Sequence, residues 1–122
     1  METNTKELAT KLLEKYELFD VIVHNVGGSL VSRNHLAGYE DWEYALRFNA
    51  LSAIDMNSVF LPKMIERGSG KVIHISSISA VMLRGNPLYA SAKAFLNAYV
   101  TTVGRQVAPQ GVTICSVKKR GP

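Results

Sequence analysis

Tyr89 and Lys93 stand four positions apart in the run Tyr89-Ala90-Ser91-Ala92-Lys93, so on a helix both side chains rise from one face. An ammonium at that spacing favours the phenolate over the phenol, and a tyrosine assisted in this way can exchange a proton with an alcohol or a ketone. Just upstream, Ile75-Ser76-Ser77 closes an apolar run of strand character. Ser77 therefore falls at the C-terminal end of a strand, where parallel sheets gather ligand-binding groups, and its hydroxyl can hydrogen-bond the same oxygen. Ser76 and Ser79 are the alternatives to it. A proton donor, a charge that tunes it and an orienting hydroxyl form a set suited to carbonyl reduction or the reverse oxidation. Alone, a Tyr-x-x-x-Lys pair is an ordinary feature of exposed helices, so its surroundings decide what it means.

Those surroundings alternate. Asn4 and Glu7 have capping-box spacing, and Leu8, Leu12 and Leu13 continue at helical period, which predicts a first helix to about Tyr16. Phe19 to His24 is short, β-branched and nearly all apolar, as suits a strand buried on both faces. Asn25 to Ser29 breaks it into a loop. A helical stripe through Trp42, Leu46, Asn49, Ala53, Met56, Phe60 and Met64 predicts one long helix from about Glu40 to Arg67, kinked or with a carbonyl locally freed at Pro62, and ended by Gly68-Ser69-Gly70. Lys71 to Ser76 is a second strand. Asn86-Pro87 opens a third helix that runs to Pro109, and Val112 to Val117 is a third strand. The fold class is therefore α/β, a partial Rossmann-type, doubly wound parallel sheet of three strands alternating with three helices that cover both faces. Three strands are few for such a sheet, which usually has about five or six.

Bulk properties narrow the function classes. The 122 residues, 47% hydrophobic and 20% charged, suit a single domain spanning 1–122. Lys118, Lys119 and Arg120 supply three of the four net positive charges, and no aromatic residues interleave basic ones, which argues against nucleic-acid binding. A shifted reading frame, an arbitrary end of the sequence or an ordinary solvated tail would each account for the triplet. No apolar run approaches the roughly 18 residues of a membrane span, and the polar start lacks the apolar core of a secretory signal. With the single Cys115 in an apolar strand, read as a buried thiol, these features predict a cytoplasmic chain. His24, His35 and His74 have no metal-ligand spacing.

Taken in order, five segments resemble the short-chain dehydrogenase/reductase family, in its short branch of 3-oxoacyl-acyl-carrier-protein-reductase type. They are His24-Asn25-Val26-Gly27, Asp41-Trp42 with Phe48-Asn49-Ala50, Leu61-Pro62-Lys63-Met64 with Gly68 to Ile73, Ile75-Ser76-Ser77, and Tyr89 to Lys93. The resemblance covers the chain up to Val117. It implies Tyr89 as general acid or base, Lys93 as the charge that assists it and binds the nicotinamide ribose, and Ser77 as the group orienting the substrate carbonyl. It also implies that Asn49 holds a relay water on its backbone carbonyl and that Asn25 and Gly27 lie beside the cofactor, NAD or NADP. The substrate would be a small carbonyl or alcohol compound, and copies of the chain would associate through the helices carrying Asn49 and Tyr89.

Departures from the family pattern accompany these matches. His24 replaces an asparagine, read as a hydrogen-bonded core histidine. The Ser77–Tyr89 interval is slightly short. No glycine-rich strand-to-helix turn for a diphosphate occurs, which predicts a fragment lacking the N-terminal cofactor loop and the C-terminal substrate segment. The alternative reading is a non-catalytic α/β fragment that acts as an oligomerising or interaction module. An extended-type sugar epimerase or dehydratase shares the Tyr and Lys, but Asn49 and the Asn25-Val26-Gly27 loop favour the reductase branch.

Overall fold

The computed structural model describes residues 5–16, 20–24, 36–77 and 87–119. Helix α1 (Thr5–Tyr16) leads to strand β1 (Val21–His24). Helix α2 (Tyr39–Leu46), a π-helical turn (Arg47–Leu51) and helix α3 (Ser52–Arg67) follow without a break. Strand β2 (Gly70–Ser77), helix α4 (Pro87–Val107), a 3₁₀ turn (Ala108–Gln110) and strand β3 (Val112–Lys119) complete the order. The strands form one parallel sheet, β1-β2-β3. The three-strand α/β architecture expected from the alternating pattern is the one observed.

Register explains the core. Ile22, Val72 and Ile114 stand side by side across the sheet, and His24, His74 and Ser116 form the next row on the same face. Onto that face α3 presents Leu61 and Met64, and α4 presents Leu96, Val100 and Val107, all buried around Val72, Val112 and Ile114. Helix α1 packs on the outer side of α3, with Ala9 fully buried and Thr5 Oγ1 donating to Asp55 at 2.7 Å.

Two turns at the N-terminal edge of the sheet require glycine. Gly68 takes a left-handed φ of 81°, and its N–H and that of Ser69 close back onto Met64 and Ile65 carbonyls, ending α3. Gly111 (φ 87°) lies so close to Gly68 that a Cβ on it would overlap the Gly68 carbonyl oxygen.

Four expectations are corrected. Among the described residues, the helices that pack on the sheet, α3 and α4, lie on one face of it, not two. Val21, Val23 and Val117, which point to the other face, are 53%, 56% and 51% exposed, because side chains alternate along a strand and α3 and α4 cover only one set. Cys115 points to that same side and is half-buried rather than buried. The long helix is interrupted by the π turn at Arg47–Leu51. The third strand does not end at Val117: Lys118 and Lys119 are its last residues, paired with Ser76 and Ser77.

Candidate active site

Pro87 supplies a preset φ at the first turn of α4. Leu88, Ala92, Leu96 and Val100, four apart, are all buried and seat the helix. Tyr89 and Lys93 sit one step round from that stripe. Tyr89 is half-buried. Lys93 is 3% exposed, and its ammonium donates to the carbonyl oxygen of Ile75 at 3.2 Å. Its Nζ lies 6.0 Å from the centroid of the Tyr89 ring. The pair read from spacing is thus one face of α4 held against the C-terminal part of β2, two residues before Ser77.

Ser77 ends β2, with its backbone beside Lys119. The side chains of Ser76 and Ser77, and Asn25, Gly27 and Ser79 entirely, lie outside the described residues. Asn49 is in the π turn, 2% exposed, and its Nδ2 donates to the Ala45 carbonyl at 3.0 Å. One turn on, the Ser52 hydroxyl donates to Arg47 O at 2.7 Å, and the Ser52 backbone N–H bonds the same oxygen, the i−5 pairing that defines the π turn. Such widened turns often mark functional positions because they shift the carbonyl ladder by one residue. This turn packs against α4, so the segments carrying Asn49, Tyr89 and Lys93 converge.

The spacing rules did not reveal a buried polar cluster behind this face. Asn57 Oδ1 accepts from His24 Nε2 at 2.8 Å, while Asn57 Nδ2 donates to His74 Nε2 at 3.1 Å and to the Tyr99 hydroxyl at 3.2 Å. The His24 and His74 rings stack with centroids 4.6 Å apart, and Tyr99 meets His74 edge-on at 6.1 Å. The amide fixes the tautomers: His24 carries its proton on Nε2, and neutral His74 on Nδ1. That Nδ1 is buried with no partner among the described residues. Burial first, then the neighbouring charges of His24 and Lys93, lowers the His74 pKa to about 3. Burial likewise lowers His24 against the opposing Asn57 bond, and raises Tyr99. The signal in the sequence was a polar residue near the end of each of two apolar strands. The expectation that His24 is a hydrogen-bonded core histidine agrees with this geometry.

Among the described residues, no group of three or more His, Cys, Asp or Glu side chains could hold a metal ion. None of their helices is long and apolar enough to cross a membrane.

A family model described as short chain dehydrogenase matches residues 1–119. The chain belongs to that family. Among curated relatives, a 3-oxoacyl-[acyl-carrier-protein] reductase of Synechocystis is 31% identical over 117 residues, covering 91% of this chain and 45% of the relative. The FabG reductase of the same name from Thermotoga maritima is 28% identical, covering 92% and 46%. The crystal structure of a short-chain dehydrogenase from Streptomyces avermitilis superposes with a TM-score of 0.86 at 26% identity, covering 94% of this chain and 43% of that one. The chain spans about half the length of the curated relatives it matches. An oxidoreductase family and a Rossmann-type fold therefore stand on comparison as well as on pattern.

Proposed function

We propose that this chain carries the proton-exchange site of an NAD(P)-dependent oxidoreductase that interconverts a carbonyl compound and its alcohol. The observation that supports it is Lys93, a buried ammonium held on Ile75 and presented on the same helical face as Tyr89. A half-buried phenol beside a buried ammonium, at the C-terminal end of a parallel strand, suits the ribose and nicotinamide end of a dinucleotide and a small carbonyl next to it. For the diphosphate, the described residues offer no glycine-rich turn between a strand and a helix. The residues that fit are Tyr89 and Lys93, with Asn25 and Gly27 assigned to the same neighbourhood by their place after β1.

When bound, the nicotinamide supplies or takes the hydride. Tyr89 gives its phenolic proton to the substrate oxygen in reduction and takes one back in oxidation. Lys93 stabilises the phenolate left behind and binds the ribose. Ser77, at the end of β2, orients the carbonyl. Asn49 holds, through its backbone carbonyl, the water that links Lys93 to solvent, so that after reduction Lys93 passes a proton to the Tyr89 phenolate and takes one from that water in its place. By likeness to the reductases named above, a keto group on an acyl carrier is the first substrate class to try; sugars, steroids and small ketones follow.

The test is oxidation of NADH or NADPH by the chain in the presence of keto compounds from these classes. Replacement of Tyr89 by Phe keeps the ring and removes the proton, so the rate is expected to fall about 10²–10⁴-fold. A Tyr89→Phe chain that retains the full rate would overturn the assignment.

A further inference from the structure

The cluster around Asn57 is not used by the chemistry above, yet each of its members lies on an element that carries an assigned residue or directly adjoins the segment that does. His24 directly precedes Asn25. His74 directly precedes Ile75, whose carbonyl holds the Lys93 ammonium. Tyr99 lies on α4 with Tyr89 and Lys93, and Asn57 lies on α3, eight residues after Asn49. Asn57, which is fully buried, is the hub, with one acceptor and two donor bonds. Buried polar side chains are costly unless paired. An apolar layer would fill this space without that desolvation, whereas one amide pairing three partners fixes how four elements meet.

We propose that Asn57 is a positioning residue for the Tyr89–Lys93 pair: by binding His24, His74 and Tyr99 together, it sets the C-terminal ends of β1 and β2 against the face of α4 that carries Lys93. The proposal rests on reading that pair as the proton-exchange site. It has an electrostatic consequence. Because Asn57 Nδ2 donates to His74 Nε2, that nitrogen cannot take a proton without losing the bond, so His74 stays uncharged near the Lys93 cation. The polar and charged groups facing His74 among the described residues are His24 from β1, Ser116 from β3, Asn57 from α3, and Tyr99 and Lys93 from α4.

The test is nitrogen-15 NMR of the imidazole rings and of the Lys93 ammonium in the full chain, with Asn57→Asp and Asn57→Leu. The wild-type chain is expected to show His74 as the Nδ1–H tautomer and a Lys93 ammonium protected from exchange. In Asn57→Asp the carboxylate can only accept, so His74 moves its proton to Nε2 and its titration midpoint rises by about 1–3 pH units, while the Lys93 signal persists because the brace is kept. In Asn57→Leu the Lys93 ammonium loses its protection even though far-UV circular dichroism shows a folded chain. Should Asn57→Leu fail to fold, Asn57→Asp and Tyr99→Phe decide the matter, the latter by a partial loss of Lys93 protection. His74 and Lys93 signals unchanged in the variants that fold would overturn the proposal. No dinucleotide enters this measurement, so a chain that binds none sinks the proposed function separately, and unmoved His74 and Lys93 signals sink the positioning role without touching that function.

Discussion

At the scale of single residues, two side chains define the chemistry and one amide supports them. Tyr89 and Lys93 were legible in the sequence because a helical period of 3.6 places i and i+4 together whatever else the chain does. Asn57, His74 and Tyr99 were not, since their meeting depends on strand register and on where α3 and α4 cross the sheet. His74 also gives the molecule a pH dependence with a definite sign. Its folded pKa, about 3, lies below the unfolded value of 6.5, so the unfolded chain takes the proton first as pH falls. The contribution of neutral His74 is complete above about pH 6.5 and is lost progressively as pH drops toward 3, at up to about 1.4 kcal/mol per pH unit. His24, lowered for the same reason, adds to the loss. Urea midpoints are expected to fall between about pH 7.5 and pH 5, with a flatter fall in His74→Leu. A midpoint that holds steady across that range would contradict the buried neutral ring.

At the scale of elements, the alternation of helix and strand and the three parallel strands were readable from apolar runs and turn residues. What the pattern could not give was the interruption of the long helix. A stripe of period 3.6 through Trp42, Leu46 and Asn49 reads as regular helix, because its steps already alternate between three and four residues and one more step of four does not stand out. The Gly68 and Gly111 turns show the converse, since Gly-Ser-Gly and Gln-Gly mark chain reversals that the structure then stacks on one another. Gly111→Ala forces a Cβ into a left-handed residue and onto the Gly68 carbonyl. The conformation alone costs about 1–2 kcal/mol, so thermal unfolding should begin several degrees lower, by roughly 4–8 °C per kcal/mol in a domain near this size. An unchanged melting temperature would show that the two turns do not pack as described.

At the scale of the whole molecule, the sheet is covered on one side by α3 and α4 and leaves Val21, Val23 and Val117 open on the other. Unbroken apolar runs suggested burial on both faces, and a run cannot reveal which of its faces meets a helix. A second apolar region lies between α2 and α4, where Tyr39, Trp42, Leu46, Leu51, Leu88 and Phe95 line a cleft of about 430 Å³. Tyr39 and Phe95 are 79% and 46% exposed. We propose that copies of the chain associate through these helices, as the resemblance implies. Light scattering at micromolar concentration is expected to give more than the monomer mass, and Phe95→Glu, which puts a charge on that surface, to return it to the monomer. A wild-type chain that is already monomeric would contradict the association.

The proton-exchange site is tested most directly by titrating the chain with NADPH, and separately NADH, while following the Tyr89 ring and Lys93 ammonium resonances. Both are expected to shift along one saturable curve, and Lys93→Met, which keeps the length of the side chain and removes its charge, to weaken that binding at least tenfold, or about 1.4 kcal/mol. Shifts confined to the surface between α1 and α3, around Thr10, Leu13 and Lys63, with Tyr89 and Lys93 unmoved, would contradict it.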